Sequence, residues 1–418
     1  MSVSRAWFSP SGLQATAAVA VVAGLLCGVN AKGEEMSYAE ARQFLTQHTT
    51  LVELSDGDAR VAICPEWQGR VMTSACGGPE GLSFGFLHTE FIEAAQPDPH
   101  FSNYGGEDRM WLSPEGGQFS LWFAPGADQN LDNWFTAPAM NEGAFEVSEP
   151  AGDRACRMTR RMQLQNASAT PFDLDVVRDV RLLEPDDLAK LFGAEAAGLI
   201  AAPGVRKVGY ETANTITNRG EPMRKEKGLV SIWMLGMMNA APETVIIVPY
   251  KPGDLGPVVK SDYFGPVPPD RLKITPEAIL LRADGEFRSK IGTSQRRARN
   301  VAGSIDFASG TLTLVQFTMP DDPAACDYMN NMWELPQAHP YVGDVANSYN
   351  DGPPEPGKKG LGAFYEIESL SPAAALGTGA SLTHCHRTLH VQADAATLAR
   401  LAELVLGVDL DAIRKEMF

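Results

Sequence analysis

Phe364-Tyr-Glu-Ile-Glu-Ser369 and, after a proline and a glycine-rich turn, Leu382-Thr-His-Cys-His-Arg-Thr-Leu-His-Val391 decide the fold. Both alternate with period two, the period of a β-strand, whose successive side chains point to opposite faces. In the first run Glu366 and Glu368 share a face and Ile367 takes the other. In the second, His384, His386, Thr388 and His390 share one. The same period runs back through residues 51–54, 59–64, 118–123, 157–164, 173–182, 209–217, 229–234, 244–250, 279–282 and 311–317, each closed by turn residues. Helical signals stand only at the edges. Ser37-Tyr-Ala-Glu40 reads as a capping box opening a helix over 39–48, and 185–192 reads as a short helix. Residues 395–406 and 409–417 read as an amphipathic pair. No Ser-, Gly- or charge-rich linker divides the chain. The expectation is one mainly β domain over 51–392, with a helical lead-in over 32–50 and C-terminal helices over 393–418.

The 418 residues, 44% hydrophobic and 21% charged, suffice for a core of ordinary size. A net charge of -17 repels phosphate backbones and anionic membranes, which argues against a nucleic-acid partner. Arg5, the apolar run over 15–26 and the small residues of Val29-Asn-Ala31 read as a signal peptide over 1–31. The run is short for a membrane span. This predicts a periplasmic or secreted protein with no stable membrane span after cleavage. Beyond the leader, Cys64, Cys76, Cys156, Cys326 and Cys385 make neither a zinc pattern nor a disulfide framework. They read as small buried hydrophobes, with Cys64 to Cys76 the one bridge to check. P-loop, nucleophile-elbow and HExxH motifs are absent, and no cofactor is expected.

Three clusters carry candidate chemistry. The first is Asn103-Tyr104-Gly-Gly-Glu107-Asp108-Arg109-Met-Trp111, followed by Pro114-Glu-Gly-Gly117. Glycine pairs let backbone approach a ligand, while Glu107, Asp108 and Arg109 offer charged partners to hydroxyls. Tyr104 and Trp111 offer aromatic faces to a sugar ring. The alternative is a structural loop in which Arg109 pairs with its acidic neighbours. The second cluster, residues 341–357, holds Asn350 and Asp351 in a turn-rich run that leads into the strand bearing Glu366 and Glu368. Two acids on one face repel unless water, cations or donors attend them. One of them can serve as a general base, or both can line a solvated face. The third is His384-Cys-His386 with His390, an H-x-H pattern able to bind a metal but equally suited to hydrogen bonding on a strand. Lys260-Ser-Asp-Tyr263 and Arg296-Arg-Ala-Arg299 read as surface charge.

Several of these pieces resemble the galactose mutarotase-like (aldose 1-epimerase-like) superfamily, and within it an uncharacterised group of exported bacterial proteins. Phe364-Tyr-Glu-Ile-Glu-Ser, Ser371-Pro372 and Leu376-Gly-Thr-Gly-Ala-Ser-Leu-Thr-His resemble the closing motif of aldose 1-epimerases. Gly105-Gly106 with Trp111, and Asn214-Thr-Ile-Thr-Asn218, resemble two other family segments. The resemblance implies a large antiparallel β-supersandwich, a sugar ligand, and Glu368 in the place of the catalytic glutamate. The family's histidine acid has no match: Tyr104 stands where the first histidine is expected, and only His100 and His339 lie in suitable loops. The expected function is an exported carbohydrate-binding protein, acting as an epimerase-like or other carbohydrate-active enzyme through a glutamate base. The alternative is a non-catalytic carbohydrate-binding or envelope-associated protein on the same scaffold. A third reading, a metal centre at His384 and His386, is the weakest.

Overall fold

Strand Ser381–Gln392 lies antiparallel between Thr311–Phe317 and Arg206–Asn218, matching residue for residue over its full length on the second side. From this core a ten-stranded sheet grows in both directions. On one side follow Val301–Asp306, Thr244–Pro249, Ala278–Arg282 and Leu272–Ile274. On the other follow Pro171–Leu182, Ala155–Gln165 and Glu146–Val147. A five-stranded sheet runs in the order Ser289–Ser294, Asp344–Asn350, Phe364–Leu370, Ser231–Asn239 and Arg109–Ser113. Val52–Asp56, Ala59–Cys64 and Arg70–Ala75 make a third, three-stranded sheet. The structure, a computed structural model, describes residues 36–148, 152–355 and 357–418. The leader read over 1–31 lies outside them. Among the described residues no helix is long and apolar enough to cross a membrane.

Alternation decides what each layer buries. In the ten-stranded sheet Ile246, Val248, Ile279, Leu281, Val315 and Phe317 face the five-stranded sheet. Their neighbours Val245, Ile247, Leu280, Leu312, Leu314, Leu389 and Val391 face helices Pro185–Phe192, Ala194–Ile200, Ala395–Leu406 and Leu410–Met417. Both faces are apolar because both are covered. Each buried Val, Leu, Ile or Phe contributes roughly 1.5–3 kcal/mol relative to exposure. The N-terminal helix Tyr38–His48 opens on the capping box read at Ser37 and Glu40. It lays Tyr38, Ala41 and Leu45 on Ala62, Cys64 and Met72 of the small sheet. The fold is mainly β, a large antiparallel supersandwich trimmed by short terminal helices.

Two sequence expectations change. Residues 118–123 form no strand: the Ser120 hydroxyl accepts from the backbone N–H of Trp122 and of Phe123, and Leu121 N–H donates to Pro114. These local bonds satisfy the backbone before a ladder can. Conversely, Asp344–Asn350 is a central strand although its Asp and Asn residues read as turn. Cys64 and Cys76 are free thiols.

The ion pair between Arg178 and Asp108 is fully enclosed in the packed interior. Arg178 Nη2 meets Asp108 Oδ1 at 2.6 Å with both side chains at 0% exposure. Arg178 also donates to Asn214 Oδ1 at 2.8 Å and to the Gly69 carbonyl at 3.1 Å, while Thr212 donates to Asp108 at 2.9 Å. The pair ties the segment entering Arg109–Ser113 to the large sheet. Asp108→Ala leaves a buried guanidinium without its anion and is expected to cost about 3–5 kcal/mol in urea denaturation. A loss below about 1 kcal/mol, the range of an exposed pair, would show that the strut is dispensable.

Candidate functional site

Phe364–Leu370 is the middle strand of the five-stranded sheet, paired with Asp344–Asn350 and Ser231–Asn239. Its Tyr365, Ile367 and Ser369 point to the large sheet: Tyr365 meets Ser304 at 2.7 Å, and Ser369 meets His384 at 2.8 Å and His386 at 2.9 Å. Glu366 and Glu368 therefore point the other way. Cross-strand register sets Glu368 opposite Leu235 and Asn347, and Leu235 opposite Arg109. It sets Glu366 opposite Met237 and Tyr349, and Tyr349 opposite Lys290. One face thus gathers two acids, an arginine and a lysine from three different strands.

The contacts are specific. Glu368, at 0% exposure, accepts from the Trp233 indole N–H at 2.7 Å and from Lys290 Nζ, which lies 3.1 and 3.2 Å from its two oxygens. Lys290 also stands 4.8 Å from the centre of the Trp233 ring. Among the described residues Glu366 has a single ion-pair partner, Arg109 Nη2 at 3.2 Å. The Arg109 guanidinium lies 3.9 Å over Trp111 and 4.9 Å from Phe101. Its Nε and Nη1 are buried without a hydrogen-bond partner among the described residues. Trp111 packs edge-on against Trp122 and Trp233, at 5.3 and 5.8 Å.

Electrostatics mark out Glu366. Burial pushes the Glu366 carboxyl up to about 7, with Glu368 and Asp351 adding repulsion and Arg109 and Lys290 opposing it. For Lys290 burial works against the charge, but Glu368, Glu115 and Glu366 outweigh it and hold the ammonium above its ordinary value. Burial lowers Arg109, which stays charged at any physiological pH. Two carboxyls on one strand thus have different tasks available: one locked by two donors, one near neutral pH with a single long contact.

Loops close over this face. Lys260 exchanges backbone hydrogen bonds with Gly292 at 2.9 and 2.8 Å, fastening the loop 251–271 along the edge strand. Tyr263 then reaches in, its hydroxyl donating to Asp344 and accepting from Asn347 Nδ2 at 3.2 Å. Arg297 pins the same loop through the carbonyls of Lys251 and Gly256. On the other side Glu115 accepts from Trp134 Nε1 at 2.9 Å, and burial raises its carboxyl. Glu366 and Lys290 keep 7% and 9% exposure, against 2% for Arg109, so the opening lies on their side.

Of the residues singled out in the sequence, Arg109, Trp111, Glu366 and Glu368 come together here. Glu107 and Asp108 do not. Glu107 turns away from it, accepting from Ser74 of the small sheet at 2.7 Å, with His390 Nε2 of the large sheet at 2.5 Å; Asp108 is held by Arg178 and Thr212. Tyr104 stacks on Trp67 at 4.6 Å in the N-terminal layer. Asn350 holds the turn at Gly285 and Phe287, and Asp351 accepts from Tyr349 at 2.6 Å and Gly362 at 2.9 Å. The glycine pair serves chain packing: a Cβ on Gly105, at φ +86°, would fall 2.1 Å from the Phe86 carbonyl oxygen. His384, His386 and His390 share a face as their alternation implies, but it is the inter-sheet face. Burial holds His384 and His386 neutral, at about 3 and 4. No group of three or more metal-binding side chains occurs among the described residues.

Lys290, Trp233 and Tyr263 belong to the site and were not singled out as site residues from the sequence, while Glu115 and Asn347 stood within its candidate clusters without an assigned role. The signal for Lys290 was the alternation of Ser289-Lys-Ile-Gly-Thr-Ser294, weakened by its glycine. Tyr263 and Arg297, read as solvated surface, are drawn inward by the loop's own backbone pairing.

No curated protein matches this chain. Among solved structures it is similar to a putative aldose 1-epimerase from Klebsiella pneumoniae, with 10% identity over 90% of this chain and 95% of that one, TM-score 0.48. A galactose mutarotase-like protein from Lactobacillus casei matches with 12% identity over 82% and 99% of the two chains, TM-score 0.42. A galactose mutarotase related enzyme from Lactobacillus acidophilus matches with 7% identity over 82% and 98%, TM-score 0.43. Residues 36–417 match a family of unknown function (DUF6786), and the chain belongs to that family.

Proposed function

We propose that this chain is an exported carbohydrate-active protein whose site is the face of the five-stranded sheet bearing Arg109, Lys290, Glu366 and Glu368. The observation that carries the reading is the convergence of these four charged groups over Trp111 and Trp233. Saccharides are bound through such mixtures, apolar C–H faces against indole and hydroxyls against charged groups. The names of the similar structures agree with a sugar ligand. The leader-like segment over 1–31 supports a periplasmic or secreted location.

Glu366 is the proton carrier in this reading. At about 7 its carboxyl is poised to give and regain a proton near neutral pH. It donates to the ring or bridging oxygen of the sugar, and the carboxylate so formed recovers a proton from a hydroxyl or from water. Glu368, in the place the resemblance gives to the catalytic glutamate, instead fixes Lys290 and the Trp233 indole. A second reading, binding without turnover, draws on that same commitment of Glu368 to protein donors.

A thermal-shift panel of neutral, acidic and oligomeric saccharides tests the reading, since a ligand at a hundred times its Kd stabilises the fold by about 2.7 kcal/mol. A hit is expected to persist in Glu366→Gln while turnover falls by about a hundredfold or more. Unchanged turnover in that variant would remove Glu366 from the chemistry, and a panel without hits would remove the carbohydrate. The wild-type rate is expected to fall as pH rises through about 7, because the donor form of Glu366 is lost. A rate that climbs through the same range would make Glu366 a base instead.

A further inference from the structure

We propose that the ligand is a saccharide bearing an anionic group, a uronate carboxylate or a sugar phosphate, seated on the free Nε and Nη1 of Arg109 over Trp111. This rests on the carbohydrate reading above and narrows it.

The hydrogen bonding of the face is incomplete at Arg109. Lys290 is matched by Glu368 at 3.1 and 3.2 Å, and that ion pair is closed by the Trp233 N–H. Glu115 accepts from Trp134 and sits beyond Lys290. Arg109 has only Glu366, on one nitrogen and at 3.2 Å. Its other two nitrogens are buried with no acceptor, in a residue 2% exposed. A buried guanidinium with unmade hydrogen bonds is costly, by about 1–3 kcal/mol for each unsatisfied group and more where charged. When Glu366 is protonated, as burial favours, Arg109 loses its direct ion-pair partner and keeps only the longer-range field of Glu368. Planar guanidinium stacked on an indole presents its N–H groups edge-on, the arrangement that accepts a carboxylate or phosphate in preference to a hydroxyl.

A bound anion has a second consequence. It faces Glu366 directly and Glu368, Asp351 and Glu115 at longer range, with Arg109 and Lys290 on the opposing side. Added negative charge drives Glu366 to its neutral form, so the complex takes up a proton, about half a proton per site near neutral pH.

Isothermal titration calorimetry of the full chain near neutral pH, in two phosphate-free buffers of different ionisation enthalpy, reads both effects. The probes are D-glucuronate, glucose 6-phosphate and D-glucose. At least one anion is expected to bind about tenfold or more tighter than glucose, with proton uptake. The tighter anion distinguishes carboxylate from phosphate. Glu366→Gln is expected to fold, keep the anion preference and lose the uptake. Glucose binding as tightly as either anion, or unchanged uptake in Glu366→Gln, overturns the anionic ligand and leaves the carbohydrate reading intact. Silence from all three probes overturns both.

Discussion

Two carboxyl groups buried on one face of a central strand can stand only if donors and cations are built around them. An isolated buried carboxylate costs several kcal/mol even after relaxation. That constraint organises the five-stranded sheet. Glu368 recruits Lys290 from the edge strand and Trp233 from the neighbouring one. Glu366 recruits Arg109 from the far edge, and Arg109 in turn needs Trp111 as a platform. Four strands far apart in sequence are thereby required to be in register, because a slip of one residue would turn every one of these groups to the other side.

The opposite face answers burial in another way. Ser369 supplies one hydroxyl to both His384 and His386, and burial keeps both rings uncharged. His390 bridges Thr313 at 2.8 Å and Glu107. An H-x-H strand suggests metal, but here the pattern fills the seam between two sheets. What sets the other face apart is charge: it gathers Arg109, Lys290, Glu366 and Glu368 beside Trp111 and Trp233, whereas His384 and His386 are held neutral in the seam.

The alternation of residues 364–369 and 382–391 was legible, and with it the orientation of Glu366, Glu368 and the histidines, because period two is a local property. What was not legible was pairing order. Lys290 and Glu368 meet across Asp344–Asn350, a strand whose Asn347 and Asn350 read as turn residues until neighbouring carbonyls and amides give their side chains partners. Glu107 and Arg109 share a period-two parity yet point to opposite layers. Glu107 precedes the strand, in a segment bent by Gly105 and Gly106 at φ +86° and +112°. The helices were read where a cap or an amphipathic run announced them, as at Ser37 and Asp394. Tyr263 could not be read inward, since the loop 251–271 is placed by bonds to Gly292 and Arg297 rather than by its own pattern.

The central claim is that Glu366 is buried as a carboxyl whose proton is held to about 7, well above its ordinary 4.5. Between those values the unfolded chain has released this proton and the folded chain has not, so the group's contribution to stability falls as pH rises. The most direct measurement is the denaturation midpoint of wild type against Glu366→Gln across that range. The difference is expected to move steadily in favour of the glutamine variant as pH rises, and to level off above about 7. A difference that stays constant, or that moves in favour of wild type, would mean that Glu366 ionises as an ordinary or ion-paired carboxylate, and would contradict the division of labour between the two acids.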